Sequence, residues 1–224
     1  MKFFSESSPT VIEETYSPIS GPIKVVDYRG EKRLVIDNLI QSITTEKPTG
    51  HKVWGKLATY PLRKKKDLTV LLLGFGGGTV AHLIARNLNP RKMIGVEIDP
   101  VIVELGQKYF NTGKIRNLEI MVEDAKSFVD RTQEKFDFIV IDIYKGRLLP
   151  KFVETSSFLA KIKEILKGEG VLVFNRIFLQ SDSRKRLTFL EFLSEVFGKA
   201  HEEIIEGPSD AKNYLYWVLT KPGS

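Results

Sequence analysis

Apolar and polar positions divide the chain into two regions with different periodicities. From residue 22 to residue 43, short apolar stretches alternate with polar turns, as in the strands of a small antiparallel sheet. After Asp67, apolar strands alternate with amphipathic helical segments, which is the pattern of βαβ units and of a mostly parallel sheet. We therefore predict a small N-terminal β domain with its linker over residues 1–60. A Rossmann-like α/β domain is predicted over residues 61–224.

The parallel sheet is predicted to contain five strands separated by helices. The strands are residues 68–73, 93–98, 118–123, 136–142 and 171–177. Helices are expected at residues 79–87, 100–110, 156–167 and roughly 182–197, with a short one within residues 53–62. Asp99 can cap the second of these helices, and Pro100 suits its first position. Two last strands, near 201–206 and 213–220, lie close enough together to form an antiparallel hairpin.

Composition excludes several classes of protein. The chain has no cysteine, so disulfides, thiolate metal sites and a cysteine nucleophile are excluded, and its three histidines lack metal-ligand spacing. The net charge is +6, but the basic runs are short and are expected to be solvated, so nucleic acid is not the expected partner. The apolar runs are too short to cross a membrane, and the N-terminus lacks the apolar core of a signal peptide. We expect an unprocessed cytoplasmic protein without a bound metal.

A glycine-rich loop follows the first parallel strand and leads into a helix. It reads Gly74-Phe75-Gly76-Gly77-Gly78, and such a loop lets a ligand approach the backbone at the helix N-terminus. Glu97 ends the second strand, where a carboxylate can accept hydrogen bonds from both hydroxyls of a ribose. Thr79 stands where a dinucleotide site would place its third glycine, which disfavours NAD. Together these residues predict a nucleoside site.

Further acids follow the third and fourth strands. Asp124, followed by the small Ala125, can bind an adenine amino group, cap a helix, or do both. Asp142 ends the fourth strand, and Tyr144 follows two residues later as a candidate wall or hydrogen-bond partner for a second substrate. Because open α/β sheets bind ligands at the carboxyl ends of their parallel strands, these residues are expected in one site.

The sequence resembles the spermidine synthase group of the class I methyltransferase-like superfamily. The resemblance rests on LLLGFGGGTVAHLIARNLNPRKMIGVEIDPVIVELGQKYF, LEIMVEDAKSFV, FDFIVIDIYKG and KIKEILKGEGVLVFN, which together cover most of residues 68–177. The N-terminal SPISGPIKVVDYRGEKRLVIDNLIQS also resembles the small β domain of that group. The resemblance implies S-adenosylmethionine or its decarboxylated form as co-substrate, an amine acceptor and a homodimer. The residues it implies for the adenosyl compound are Gln41, Gly74, Gly76, Gly77, Gly78, Glu97, Ile98, Asp124 and Ala125, with Asp142 facing the reacting amine.

The chain departs from the pattern of that group where amines are bound. Aminopropyl transferases usually carry an aspartate in the glycine-rich loop, and this chain has Gly77 there. Val53, Trp54, Gly55 and Lys145 replace other polar residues that the group uses for the acceptor. Our main hypothesis is transfer of an aminopropyl group to an amine. The alternatives are an S-adenosylmethionine-dependent methyltransferase acting on a small molecule, and a cofactor-binding protein without turnover.

Overall fold

The computed structural model describes residues 8–44, 52–59, 66–146, 148–179, 182–205 and 211–221. Within these ranges, the N-terminal region forms a four-stranded antiparallel sheet in the order β1-β2-β3-β4. Its strands are β1 Thr10–Ser17, β2 Gly21–Tyr28, β3 Glu31–Ile36 and β4 Leu39–Ile43. Asp37 and Asn38 both have positive φ angles, 50° and 60°, so they close the β3–β4 hairpin with a two-residue turn whose twist suits paired strands.

The second sheet has seven strands in the order β10-β11-β9-β8-β5-β6-β7. Its strands are β5 Thr69–Leu73, β6 Lys92–Glu97, β7 Leu118–Val122, β8 Phe136–Ile141, β9 Leu166–Leu179, β10 Ala200–Ile205 and β11 Ala211–Leu219. Strands β5 to β9 run parallel, whereas β11 pairs antiparallel with both β9 and β10. This confirms the predicted α/β fold with a C-terminal hairpin.

Six α-helices lie in the described ranges. They are α1 Lys52–Leu57, α2 Thr79–Leu88, α3 Pro100–Phe110, α4 Ala125–Arg131, α5 Ser156–Ile165 and α6 Ser183–Phe197. Asp99 caps α3 by accepting a hydrogen bond of 2.9 Å from the Val101 N–H, as predicted. None of the helices in these ranges has the length and apolar character that crossing a bilayer requires.

Apolar side chains cover both faces of the seven-stranded sheet. Every residue of β5 is buried, as expected for a central parallel strand with helices on both sides. The N-terminal sheet packs against α3 through an apolar cluster separate from those on the two faces of the large sheet. Its buried members are Ile23, Val25, Leu34, Ile36, Ile102, Leu105 and Phe110. The small sheet therefore packs along most of the length of α3, beside the carboxyl edge of the large sheet.

Three elements differ from the sequence prediction. Strand β1 was not predicted, because its mostly exposed side chains lack clear alternation and it is held at the sheet edge by pairing with β2. Helix α4 was also missed, because it has only 7 residues. Helix α5 was expected to reach Lys167 but ends at Ile165. Leu166 already pairs with Phe136, and β9 continues through an irregularity before Val171 pairs with Phe138.

Candidate functional site

A cavity of about 550 Å³ lies at the carboxyl edge of the parallel strands, below the N-terminal sheet. All the predicted site residues except Gly77 and Gly78 line it. They are Gln41, Gly74, Gly76, Glu97, Ile98, Asp124, Ala125, Asp142 and Tyr144. The strand order explains this gathering, because β6, β5 and β8 are neighbours and end at the same edge.

Gly74 starts the glycine-rich loop in a conformation that only glycine adopts easily. Its φ is 88°, and a Cβ atom there would lie 2.2 Å from the backbone oxygen of Asp142. The N–H groups of Gly74 and Phe75 both donate to the Val96 carbonyl, at 3.1 and 3.0 Å. The loop therefore turns tightly between the ends of β6 and β8, and brings its backbone into the cavity.

Gly77 and Gly78 shape the loop by close packing and lie outside the cavity lining. The Gly77 N–H donates to Ser42 Oγ at 2.8 Å, and a Cβ on Gly77 would lie 2.9 Å from Ser42 Cβ. A Cβ on Gly78 would lie 2.4 Å from Thr112 Cγ2. Next to them, Thr79 Oγ1 accepts from the Ile43 N–H at 2.8 Å and donates to the Ile43 carbonyl at 2.9 Å. Strand β4 is thus fastened onto the loop, a contact the sequence did not reveal.

Glu97 is a buried carboxylate at the end of β6. Its Oε2 accepts from the Gly76 N–H at 2.8 Å, and its Oε1 accepts from the Asp99 N–H at 3.2 Å. Burial raises the pKa of Glu97, while these backbone hydrogen bonds lower it. The remaining lone pairs of the carboxylate are available to two adjacent hydroxyls. The half-exposed Ile98 follows and adds an apolar surface to the same part of the cavity.

Asp124 caps α4, as one interpretation of the sequence predicted, and it also lines the cavity. Binding of an adenine amino group by Asp124 stays a prediction. Its Oδ1 accepts from the Ser127 N–H at 2.9 Å. Ala125 is buried directly behind it, where a larger side chain would narrow the cavity. The preceding Glu123 forms an ion pair with Arg131, through a Glu123 Oε2 to Arg131 Nε distance of 3.1 Å.

Asp142, directly after β8, is another carboxylate in the cavity lining. Its Oδ1 accepts from Asn175 Nδ2 at 2.8 Å, and burial raises the pKa of Asp142 to about 6. Asn175, at 4% exposure, keeps its side-chain oxygen without a hydrogen-bond partner among the described residues. Asn175 lines the cavity, although this oxygen atom is itself buried. The sequence analysis left Asn175 unassigned, although a single amide in the apolar run VLVFNRI was a usable signal.

The hydroxyl of Tyr144 is engaged by the backbone of β9. It donates to the Asn175 carbonyl at 3.1 Å and accepts from the Ile177 N–H at 2.9 Å. Burial raises the pKa of Tyr144 far above its ordinary value. The phenol therefore stays neutral. Its two hydrogen bonds hold the loop that follows β8 against strand β9. Tyr144 lines the cavity, and its role toward a second substrate stays a prediction.

Val53 and Trp54 of α1, which the resemblance implied near the acceptor, line the cavity. Four further lining residues were not predicted. They are Pro150 and Phe152, between β8 and α5, and Ile177 and Asn213, on β9 and β11.

The seven-stranded sheet, its glycine-rich loop and the acids at its strand ends define a class I methyltransferase-like α/β domain. Within that class, the chain belongs to the spermine/spermidine synthase family, because the family model described as "Spermine/spermidine synthase domain" matches residues 55–209. This confirms the resemblance found in the sequence.

Individual relatives point the same way. The chain is 34% identical over 113 residues to a polyamine aminopropyltransferase of Vibrio vulnificus, covering 49% of this chain and 38% of that protein. A probable spermidine synthase from Corynebacterium glutamicum superposes with a TM-score of 0.79 at 19% identity, over 95% of this chain and 80% of the other. Human methyltransferase-like protein 13 in complex with SAH superposes with a TM-score of 0.63 at 24% identity, over 77% of this chain and 81% of the other. At these identities the two structures establish the fold alone.

Proposed function

We propose that this protein transfers an aminopropyl group from decarboxylated S-adenosylmethionine to an amine. Support comes from the family, from the polyamine aminopropyltransferase relative and from the site. The observation that carries the proposal is the pair formed by Asp142 and Asn175, joined at 2.8 Å beside the nucleoside half of the cavity. The Asn175 amide holds the carboxylate of Asp142 in the cavity lining, where that carboxylate can bind an amine.

In this reaction the adenosyl compound is a substrate, and the residues fit its parts. Glu97 would accept hydrogen bonds from the ribose hydroxyls, and Asp124 with Ala125 would hold the adenine edge. Gly74 and Gly76 allow the sulfonium end to lie close to the loop backbone. The cavity of about 550 Å³ accommodates a nucleoside together with a small amine.

The chemistry needs little more than alignment, because a sulfonium is already a good electrophile. The amine nitrogen attacks the propyl carbon, a C–N bond forms as the C–S bond breaks, and methylthioadenosine leaves as a neutral thioether. The ammonium that forms loses a proton to Asp142, which passes it to water. With a pKa of about 6, Asp142 is ionised at neutral pH and can both hold the ammonium and accept its proton.

A second candidate is methyl transfer from S-adenosylmethionine to a small molecule. It is favoured by Gly77, because a glycine at this position gives the loop no carboxylate for the ammonium of an aminopropyl group. Gly77 also packs closely against Ser42, which leaves little room for a side chain. The fold that the chain shares with methyltransferase-like protein 13 is compatible with this reaction.

The homodimeric state, the cytoplasmic location and the domain boundary at residue 60 stay predictions from the sequence.

Calorimetry with four ligands and an end-point assay separate the candidates. We expect decarboxylated S-adenosylmethionine and methylthioadenosine to bind more tightly than S-adenosylmethionine and S-adenosylhomocysteine. With an amine present, methylthioadenosine should be released by the wild-type protein, and at least 100-fold more slowly by Asp142→Asn. The surface variant Asp130→Asn should match the wild type. The reverse order of affinities would favour methyl transfer, and binding without product from any amine would indicate a cofactor-binding protein.

A further inference from the structure

The strand order divides the cavity into two halves. Glu97 and Asp124 lie at the ends of β6 and β7, whereas Asn175, Ile177 and Asn213 lie on β9 and β11 at the other side of Asp142. Register supports this grouping, because Asn213 is paired with Ile177 and therefore shares its face of the sheet. With the nucleoside in the β6–β7 half, the second substrate must occupy the β9–β11 half, which we call the acceptor half.

Helix α1 forms part of the wall of the acceptor half. Lys56 Nζ lies 2.7 Å from Glu203 Oε1 of β10, which places α1 against the C-terminal hairpin. From this position Val53 and Trp54 line the cavity, and Phe152 and Ile177 line it as well. The surface that surrounds the body of the second substrate is therefore largely apolar.

Charge in the acceptor half is sparse among the residues the structure describes. Asp142 is its one lining carboxylate there, and Lys145 adds a positive charge to the same lining. Three carboxylates on the β9–β10 side of the domain lie outside the lining and form ion pairs: Glu154 with Arg176 at 2.8 Å, Asp182 with Lys185 at 2.8 Å and Glu202, through Oε1, with Arg186 at 2.6 Å. Among the described residues, an ammonium bound at Asp142 uses the negative charge of the acceptor half, and a second ammonium beside Lys145 would have no described acid to pair with.

One further carboxylate lies at the rim. Asp37, in the β3–β4 turn, approaches Gly146 closely enough that a Cβ on Gly146 would lie 2.9 Å from Asp37 Oδ2. The side chain is exposed and is outside the cavity lining. An ion pair in that position is screened by water and contributes little.

We infer that the acceptor is a monoamine with an apolar or aromatic body, and that a diamine is a poor acceptor. Its single amino group lies at Asp142 and Asn175, and its body contacts Val53, Trp54, Phe152 and Ile177. This inference rests on the proposed function and names the substrate class of the same site.

Three acceptors with the same aminobutyl chain test the inference. Pentylamine, 1,4-diaminobutane and 5-aminopentanoate differ only in an apolar, a cationic or an anionic end. Methylthioadenosine release from decarboxylated S-adenosylmethionine is measured for each at pH 8. We expect kcat/KM for pentylamine to exceed that for either of the others at least 10-fold. Equal or better use of the diamine, or of the amino acid, would overturn the inference and leave aminopropyl transfer standing. No release with any of the three amines would instead count against the proposed function, and the inference would fall with it.

Substitutions at Val53 and Asp37 test which residues make the site prefer a monoamine over a diamine. Val53→Glu places an acid in the acceptor half and should raise the ratio of diamine to monoamine use at least 10-fold, whereas the matched control Val53→Gln should leave that ratio within 2-fold of the wild type. An unchanged ratio in Val53→Glu would refute the placement of the acceptor body against α1. Asp37→Asn should change neither substrate's kcat/KM, and a selective loss of diamine use in that variant would show that the rim supplies a second ammonium site.

Discussion

Replacing Asp142 with asparagine is expected to stabilise the protein while it removes activity. Burial raises the pKa of Asp142 from 3.8 to about 6, so ionising this carboxyl costs more in the folded protein than in the unfolded chain. Each unit of pKa difference corresponds to about 1.4 kcal/mol, which gives an upper value of about 3 kcal/mol at pH 8. The side chain is partly exposed to the cavity, and screening by water reduces the expected gain to about 1–3 kcal/mol. The new amide oxygen can still accept from Asn175.

The gain depends on pH with a sign that identifies its cause. The folded protein binds the Asp142 proton more tightly than the unfolded chain does. The carboxyl therefore contributes its full stability below pH 3.8, and that stability is lost as the pH rises through about 6. Asp142→Asn does not titrate, so its advantage over the wild type is largest at pH 8 and falls to about 1 kcal/mol or less at pH 4.5.

Urea unfolding of both proteins at pH 8 and pH 4.5 measures this difference. Asp130→Asn is the matched control, because Asp130 is exposed and forms an ion pair with Lys126 on the surface of α4. Its free energy of unfolding should stay within about 0.5 kcal/mol of the wild type at both pH values. An equal gain for Asp142→Asn at both pH values, or no gain at pH 8, would refute the assignment of the raised pKa to burial.

Three further substitutions test other contacts of the site. Tyr144→Phe leaves the Ile177 N–H without its partner and should cost about 1–3 kcal/mol in urea unfolding; wild-type stability with lost turnover would show instead that the hydroxyl acts on substrate. Gly77→Asp places its Cβ 2.9 Å from Ser42 Cβ and should lower the free energy of unfolding by about 1–3 kcal/mol. Unchanged stability would mean that β4 can shift to make room for the side chain at little energetic cost. Glu97→Gln should weaken methylthioadenosine binding in calorimetry by about 1.5–3 kcal/mol, and unchanged affinity would remove Glu97 from the ribose site.

Much of the site was predictable because it depends on local sequence and one topological rule. The apolar strand, the glycines and the helix that follows are contiguous, so Gly74 and Gly76 could be assigned to a binding loop. Glu97 and Asp142 each follow an apolar strand directly. Since parallel strands end at one edge, placing these acids in one cavity required no knowledge of side-chain packing.

The remaining contacts join parts of the chain that no local pattern connects. Ser42 and Gly77 are 35 residues apart, and Asp142 and Asn175 are 33 apart. The hydrogen bond from the Tyr144 hydroxyl to the Asn175 carbonyl likewise joins the loop that follows β8 to β9, a strand that comes later in the chain. Such pairs exist only after the sheet has assembled and the N-terminal strands have docked.

The sequence by itself determined the class of fold, the positions of its parallel strands along the chain and the carboxylates that end them, because the spacing of apolar residues and the residue that follows a strand are local properties. The order of the strands within the sheet came from the tertiary structure. The sequence did not reveal β1, α4 or the early end of α5, whose positions depend on pairing with β2, on short length and on pairing with β8. Only the tertiary structure decided which polar groups are already satisfied, which charges are paired and which apolar side chains surround the second substrate. Those properties arise from burial and distance between remote residues, and they decide which molecules the site can accept.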